Sequence, residues 1–306
     1  MISQQITAEE STRRQQQKRL LARLHTGNAI AHGVLIAITA LVTVIFVGII
    51  VYLLVQGAPS FLRSDFFSSG EGGILPQVFN TFYILILTEI FLFPIALAAA
   101  IYLIEYARQG SLVSAIHFAA ETLAGIPSIV LGLFGFLLFG TILHFGTSRL
   151  TGALALLCLN FPIALRLFED ALSSVPRELR EGALALGSTR WHTVRTVVLP
   201  SALPGIVTGL ILSAGKIIGE AAALLFTMGI FNPANVYTLN PLIASDTLTT
   251  RLYYLKGPGG GTTTLGGAGE TAVAAGISAT LIVLLLLINI VSRSVGRYIQ
   301  RKVTAA

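Results

Sequence analysis

Charged residues are scarce in this chain of 306 residues, since Asp, Glu, Lys and Arg together make up 11% of it. Soluble domains carry about 25% charged residues, so most of this chain has too little polar surface to fold in water. The scarcity excludes a soluble enzyme, a disordered protein and a nucleic-acid-binding protein, although the formal net charge is +6. A single cysteine, Cys158, leaves no partner for an internal disulfide and no thiolate metal site. The five histidines lack the spacing of a metal-ligand set.

The chain contains several long apolar segments, and 54% of its residues are hydrophobic. A helix needs about 20 apolar residues to cross the hydrocarbon core of a bilayer. The pattern predicts an all-α integral membrane protein with six transmembrane helices. The predicted spans cover residues 30–55, 77–104, 113–141, 150–168, 202–230 and 271–292.

The basic residues predict the orientation, because cytoplasmic loops of membrane proteins are enriched in Lys and Arg. Six spans leave fifteen basic residues on the side of the N-terminus and four on the other side, with Lys216 inside the fifth span. Both termini are therefore expected in the cytoplasm, and the net positive charge reflects topology rather than nucleic-acid binding. The expected organisation is an N-terminal arm (1–25), a membrane domain (26–295) and a C-terminal tail (296–306). The four basic residues on the far side are Arg63, Arg149, Arg251 and Lys256.

The loop between the fourth and fifth spans, about residues 169–200, is unusually long and prone to helix formation. Pro176 suits the first turn of a helix and Gly187 suits its end. A second short helix, roughly 189–198, is expected to end before Pro200. Two such amphipathic helices either protrude to dock a cytoplasmic partner or lie on the lipid headgroups, and the residues alone do not choose between these interpretations.

The fifth predicted span contains Lys216 and Glu220, whose spacing places both on one face of a continuous helix. A charge at the bilayer centre costs roughly 2.5–3.5 kcal/mol on insertion scales. The pair is therefore either a self-neutralising element of the helix bundle or the lining of a polar pathway. Glu89 in the second span is either protonated or faces a polar cavity. Gly215-Lys216 does not form a phosphate-binding loop, because Ile217 replaces the required Ser or Thr.

The run Glu181-Gly-Ala-Leu-Ala-Leu-Gly187, followed by Leu199-Pro200, resembles the EAA loop of ABC-importer permeases, although Gly182 replaces the family's first Ala. The resemblance implies a type I importer permease with the MetI-like fold, which is a transporter subunit and not an enzyme. It also implies partners: a second homologous permease, two ATPase subunits, an extracytoplasmic binding protein and membrane lipid. ATP and Mg²⁺ would bind to the ATPases, with no cofactor in this chain. The implied ATPase contact comprises Glu178, Glu181, Gly182, Ala183 and Gly187.

Other segments resemble the phosphate-specific PstA branch of this family, namely Ile-Tyr-Leu-Ile-Glu-Tyr at 101–106 and Gly-Ile-Pro-Ser-Ile-Val at 125–130. This resemblance implies import of inorganic phosphate through a prokaryotic inner membrane, with Lys216 and Glu220 lining the pathway. The branch typically has Arg where this chain has Lys216, and Lys keeps the charge but loses the planar fork that grips phosphate.

Three alternatives to phosphate import remain open. The first is the same machinery for sulfate or molybdate. The second is an ion-coupled secondary transporter that uses Lys216, Glu220 and Glu89. The third is an integral membrane enzyme, which is disfavoured because the sequence shows no nucleophile–base set or metal-ligand set.

Overall fold

A computed structural model describes residues 2–70, 73–108, 110–230, 237–257 and 266–304, and the regular elements in these ranges are all helices. π-helical turns at Tyr102–Tyr106, Phe136–Ile142 and Val194–Val198 continue α2, α4 and α7, respectively. The helices are α1 (Ile2–Phe61), α2 (Leu75–Ile101), α3 (Ser111–Gly125), α4 (Ser128–Gly135), α5 (Arg149–Ser173), α6 (Arg177–Ala185), α7 (Arg190–Thr193), α8 (Leu199–Gly219), α9 (Ala222–Thr227), α10 (Leu248–Lys256) and α11 (Gly266–Thr304).

The described residues contain five helical segments that are long and apolar enough to cross a membrane, and α3 with α4 forms a sixth if the bent pair counts as one span. The helix direction bends by 102° between α3 and the segment Ser128–Ile142, which comprises α4 and its π-helical turn. The bend occurs where Ile126 is extended and Pro127 precedes α4, because a residue before proline disfavours the helical conformation. The prediction of six spans agrees with this arrangement when α3 and α4 are counted as one span. The five segments are Ile30–Phe61, Leu75–Tyr106, Arg149–Ser173, Arg190–Gly219 and Glu270–Val291.

The chain divides into two compact units, Met1–Val55 and Gln56–Ala306. In the first unit, the apolar side chains from Ile30 onward are exposed along the helix, a surface that is stable in lipid. In the second unit, α2, α5 and α8 pack around a buried apolar core. Leu92, Leu156 and Ile206 are core residues from these three helices.

The predicted second short helix of the cytoplasmic loop does not end before Pro200, which is a correction to the sequence analysis. Residues Arg190–Gly219 instead form one long helical segment. The π-helical turn immediately before Pro200 explains the continuity: the N–H of Leu199 bonds to the carbonyl of Val194, and the wider turn accommodates the proline ring and its missing N–H. The loop between α5 and this segment is therefore shorter than predicted.

The predicted fifth span, residues 202–230, is not one continuous helix either. α8 ends at Gly219, Glu220 has the extended conformation (φ −78°, ψ 127°), and α9 starts at Ala222. Lys216 and Glu220 therefore do not share the face of one helix, and this part of the sequence interpretation was wrong. Hydropathy alone gives no sign of the break, because the residues on both sides of it are apolar.

Candidate functional site

The segment formed by α6 and the start of α7 exposes most of its side chains. No residue of α6 is buried, and Leu186, just after the helix, is 90% exposed. Gly187 has φ +87°, a conformation that favours glycine, and its N–H bonds to the carbonyl of Leu184. The predicted helix stop at Gly187 is therefore confirmed. Of the five residues expected to contact an ATPase, Glu178, Glu181, Gly182 and Gly187 are exposed and Ala183 is partly buried.

One of the four arginines that would assist an α6 lying on lipid headgroups does not face outward. Arg180 points into the bundle, where its Nε lies 3.0 Å from Oε1 of Glu105. The guanidinium is 17% exposed, so it is not available to a headgroup. Arg180 therefore fixes the position of α6 against the bundle, whereas Arg177, Arg190 and Arg195 are exposed.

The break between α8 and α9 brings a cation and a carboxylate into the same region of the bundle. Lys216 lies in the last turn of α8, where the helix dipole favours a cation, and its side chain is exposed. The carboxylate of Glu220 accepts a hydrogen bond from the backbone N–H of Ala223 at 3.2 Å, at the start of α9. In the part of the chain that the structure describes, no ion pair within 4.0 Å joins Lys216 to Glu220.

Two contacts from other elements stabilise the break. The hydroxyl of Thr249, in the first turn of α10, donates to the carbonyl of Glu220 at 2.8 Å and so satisfies an acceptor that leaves the helical pattern. On the other side, a Cβ at Gly132 of α4 would lie 2.6 Å from Cα of Ala223. α4 and α9 therefore approach closely because position 132 carries no side chain.

Polar atoms without partners are buried on three helices that pack together, α2, α5 and α8. Among the described residues, Oε1 of Glu89 and the hydroxyl of Ser213 form no hydrogen bond of good geometry, although the two side chains lie close enough to interact with each other. Buried polar atoms are normally hydrogen-bonded, so each of these atoms calls for an explanation such as a bridging water or ion. The full group on these three helices is Gln77, through its Oε1, with Thr88, Glu89, Asn160 and Ser213.

A buried hydrogen-bonded cluster around Arg149 lies at the start of α5, at the end of that helix remote from α6. Arg149 is 1% exposed, and its guanidinium donates to Oγ of Ser245 at 3.1 Å, to Oδ1 of Asn80 at 2.6 Å and to the carbonyl of Thr238. The ring of Tyr83 also lies beneath the cation, with its centroid 4.7 Å from Cζ. Arg149 therefore joins α5, α2 and the segment 237–250.

The same segment is attached to α2 by a second set of hydrogen bonds. Gln77 donates from Nε2 to the carboxylate of Asp246 at 3.1 Å, and Asn80 donates from Nδ2 to the backbone carbonyl of Asp246 at 3.0 Å. Thr249, which bonds to the break at Glu220, lies three residues further along the chain. The cluster thus positions Thr249, whose hydroxyl bonds to the carbonyl of Glu220 at the break between α8 and α9.

Sequence reasoning missed this cluster and treated Arg149 and Arg251 as basic residues of exposed loops. One signal was present: Arg149 stands at the first position of an apolar helix, where the helix dipole disfavours a cation. A cation in that place indicates a compensating partner. The partners themselves, Asn80 and Ser245, lie 69 and 96 residues away, so local sequence does not identify them.

Asp246 gives the structure a pH dependence that thermal melting of the purified protein can measure. Burial raises the pKa of its carboxyl to about 6, against the lowering effects of Arg251 and Gln77. Because the folded chain binds this proton more tightly than the unfolded chain does, stability is gained as the pH falls through about 6 and is lost as the pH rises. We expect Tm to rise by a few degrees between about pH 7.5 and about pH 5.

Asp246→Asn is expected to raise Tm at about pH 7.5 and to reduce this pH dependence, since it removes the buried charge. Asp65→Asn is the matched control, because Asp65 is an exposed acid whose pKa its partner Arg63 lowers. An Asp246→Asn protein with the wild-type Tm at both pH values would contradict the assignment.

A cleft of about 440 Å³ lies between α3 and α5. Nε2 of His117 lies 3.0 Å from Oε1 of Glu169 in its wall, and Arg166 lies 3.6 Å from Glu121. The latter two side chains are 72% and 67% exposed. Within the described ranges, no group of three or more His, Cys, Asp or Glu side chains could hold a metal ion.

Comparison with known proteins identifies several similar permeases. The chain is 36% identical over 293 residues to the probable ABC transporter permease protein YqgI of Bacillus subtilis, a match that spans 90% of this chain and 97% of that protein. It is 37% identical over 174 residues to the phosphate transport system permease protein PstA 1 of Mycobacterium tuberculosis, covering 57% of each chain. Identity to PstA of Haemophilus influenzae is 36% over 182 residues, which cover 57% of this chain and 64% of that one.

Solved structures show the same fold at low sequence identity. The methionine ABC transporter MetNI, in an inward facing conformation, contains a chain with a TM-score of 0.59 and 21% identity, and the match covers 74% of this chain and 95% of that one. A bacterial ABC transporter involved in the import of alginate gives a TM-score of 0.56 at 18% identity, with 83% and 95% of the chains covered. The expected MetI-like permease fold is therefore confirmed.

The family comparison covers most of the membrane helices. Residues 92–305 match the family described as the inner membrane component of binding-protein-dependent transport systems. With the membrane-spanning helices, this match makes the chain a multi-pass inner membrane protein and a transporter subunit rather than an enzyme. The chain belongs to the family of inner membrane components of binding-protein-dependent transport systems, the permeases of ABC importers.

Proposed function

We propose that this chain is a permease subunit of an importer of inorganic phosphate and forms half of the translocation pathway with a second, homologous permease. The observation that carries the choice of substrate is the 36–37% identity to phosphate transport permeases over more than half of the chain. Two segments that resemble the phosphate branch, at 101–106 and 125–130, support it independently of the charges in the membrane.

The proposed pathway passes the break between α8 and α9. Lys216 offers an exposed cation that attracts a phosphate anion. Glu220 is the extended residue that directly follows the end of α8. Glu89 and Ser213, whose side chains lie close enough to interact with each other, supply further polar groups in the bundle. Specificity would reside mainly in the extracytoplasmic phosphate-binding protein, so the permease itself needs to hold phosphate only weakly.

ATPase subunits are proposed to dock on α6 and Gly187, where Glu178, Glu181 and Gly182 are exposed and Ala183 is partly buried. Two ATPases would bind ATP and Mg²⁺ and move this segment, and alternating access would follow from reorientation of the membrane helices. In this arrangement both termini are cytoplasmic, and residues 26–295 form the permease domain between the arm (1–25) and the tail (296–306).

Anion uptake by the purified, reconstituted transporter tests the substrate. A tagged copy of the chain is isolated with its partner subunits and placed in liposomes with the binding protein. Uptake of phosphate, sulfate and molybdate is then measured with and without ATP. We expect ATP-dependent uptake of phosphate, in excess of either other anion by about tenfold or more.

Preferential uptake of sulfate or molybdate would overturn the choice of phosphate and leave the importer assignment intact. Uptake that needs no ATPase and no ATP would support an ion-coupled secondary transporter instead. Co-purification of an ATPase subunit with the tagged chain is the internal control for assembly.

A further inference from the structure

The docking segment is linked to α2 by a largely buried ion pair. Nε of Arg180 in α6 lies 3.0 Å from Oε1 of Glu105, which belongs to the π-helical turn at the end of α2. The two side chains are 17% and 13% exposed. Exposed ion pairs stabilise little, whereas a desolvated pair with good geometry holds its two elements in a defined relation.

The same guanidinium also binds the end of α5. Nη1 of Arg180 donates to the carbonyl of Val175 at 2.7 Å, and Nη2 donates to the carbonyl of Leu172 at 2.6 Å. Each of the three nitrogens therefore has an acceptor, and the acceptors come from two different parts of the bundle. A planar, forked group is required for this arrangement, because the ammonium of Lys cannot reach three separated acceptors.

Arg180 is the main polar connection of α6 to the bundle. In the part of the chain that the structure describes, it is the α6 side chain whose hydrogen bonds and ion pair reach α2 and α5. The rest of α6 contributes no buried residue. A displacement of α6 would therefore act on α2 through this guanidinium, while α6 also packs against the start of the Arg190–Gly219 segment.

α2 carries that displacement towards the opposite end of the bundle. The helix runs from Glu105 back to Asn80 and Gln77, which bind Arg149 and Asp246 in the buried cluster described above. The cluster in turn positions Thr249 against the carbonyl of Glu220. α2 thus contacts α6 at one end, through Glu105, and the buried cluster at the other end, through Asn80 and Gln77. It therefore connects the docking segment with the break in the proposed pathway.

We propose that the Arg180–Glu105 pair is the positioning link that transmits movement of α6 to α2 and so couples ATP hydrolysis to reorientation of the membrane helices. The inference rests on the proposed function, in which α6 is the contact for the ATPase. Neither residue touches the substrate, and both act by fixing one element against another.

The test compares Arg180→Ala, Glu105→Gln and the double variant in the complete reconstituted transporter, with phosphate as the substrate. The measured quantities are the ATPase that co-purifies with the chain and the phosphate transported per ATP hydrolysed. We expect Arg180→Ala to retain the ATPase and to continue hydrolysis, while phosphate transported per ATP falls roughly tenfold. Glu105→Gln is expected to lower the ratio less, because Arg180 keeps its two carbonyl acceptors.

Coupling within the pair gives a second readout. If the two residues act through each other, the double variant transports no less per ATP than Arg180→Ala alone, whereas independent roles would multiply the two losses. Arg166→Ala is the matched control, since Arg166 forms an exposed pair with Glu121 at 3.6 Å and its loss is expected to leave the ratio unchanged.

Three outcomes would overturn the link. The first is a wild-type ratio in assembled complexes of both single variants. The second is multiplication of the losses in the double variant. The third is selective loss of the ATPase from the variants, which would mean that Arg180 shapes the docking surface instead of transmitting its movement.

If Arg180→Ala does not accumulate, Glu105→Gln decides, because it retains the bonds of Arg180 to α5. Failure of the wild-type chain to retain any ATPase would overturn the proposed docking role itself and is distinguishable from all three.

Discussion

Lys216→Gln is expected to lower phosphate uptake by about 10- to 100-fold while the transporter still assembles. Lys216 is an exposed cation in the last turn of α8, and no carboxylate in the described part of the chain pairs with it within 4.0 Å. Glu220 acts on this cation electrostatically from beyond that distance, so no short ion pair holds the charge and it can attract an anion. A charge-assisted hydrogen bond contributes about 1.5–3 kcal/mol. Glutamine retains much of the length and polarity of lysine but removes the charge, so the variant isolates the electrostatic contribution.

Two matched variants sharpen this experiment. Lys216→Arg restores the residue that the phosphate branch typically carries, and we expect it to retain uptake because charge is preserved and the fork improves the grip on phosphate. Lys256→Gln removes an exposed lysine at the end of α10, where Lys256 bonds to Thr271, and is expected to change uptake little. Wild-type uptake by an assembled Lys216→Gln transporter would show that the charge serves neither substrate nor gating.

Arg149→Ala is expected to lower the free energy of unfolding by about 3–5 kcal/mol, the largest loss of stability that we predict. The change removes a cation that is 1% exposed and leaves acceptors of Asn80, Ser245 and Thr238 without their donor. Thermal melting in detergent and the yield of monodisperse protein measure the effect. Arg63→Ala is the control, because Arg63 forms an exposed ion pair with Asp65 and its removal is expected to leave Tm unchanged.

The stability loss also has a functional consequence in the assembled transporter. Without Arg149, the segment 237–250 loses a connection to α2 and α5, and Thr249 is held less firmly against the carbonyl of Glu220. A melting curve of Arg149→Ala that matches the wild type would contradict the role of the cluster. Arg149→Lys is expected to recover only part of the loss, because one ammonium cannot replace a fork that reaches Ser245, Asn80 and Thr238.

The helix α6, which we propose as the ATPase contact, was predictable because its signals are local. Pro176 and Gly187 mark a helix start and end through their own backbone preferences, and the structure has α6 between them with Gly187 at positive φ. Continuity through Pro200 was not predictable in the same way. It depends on a π-helical turn at Val194–Val198, and the residues of that turn are ordinary helix-compatible residues.

The break at Glu220 shows the limit of local reasoning most clearly. The string Ser213-Ala-Gly-Lys-Ile-Ile-Gly-Glu-Ala contains no proline, and its apolar character continues across the break, so the spacing predicts one helix with Lys216 and Glu220 on the same face. The structure separates them because Thr249 bonds to the freed carbonyl and Gly132 lets α4 approach α9. Both contacts come from residues distant in the chain.

By itself, the sequence determined the membrane environment, the number of spans and the position of α6 between Pro176 and Gly187. Each follows from hydropathy, from charge placement or from the backbone preferences of proline and glycine, which act over a few residues. Only the tertiary structure decided where the fifth span breaks, that Arg149 is buried among neutral acceptors and that Arg180 turns inward to Glu105. Those outcomes depend on the pairing of polar groups inside the bundle, because a buried charge or carbonyl without a hydrogen-bond partner costs free energy. The partners lie on distant parts of the chain, so only the tertiary structure identifies them.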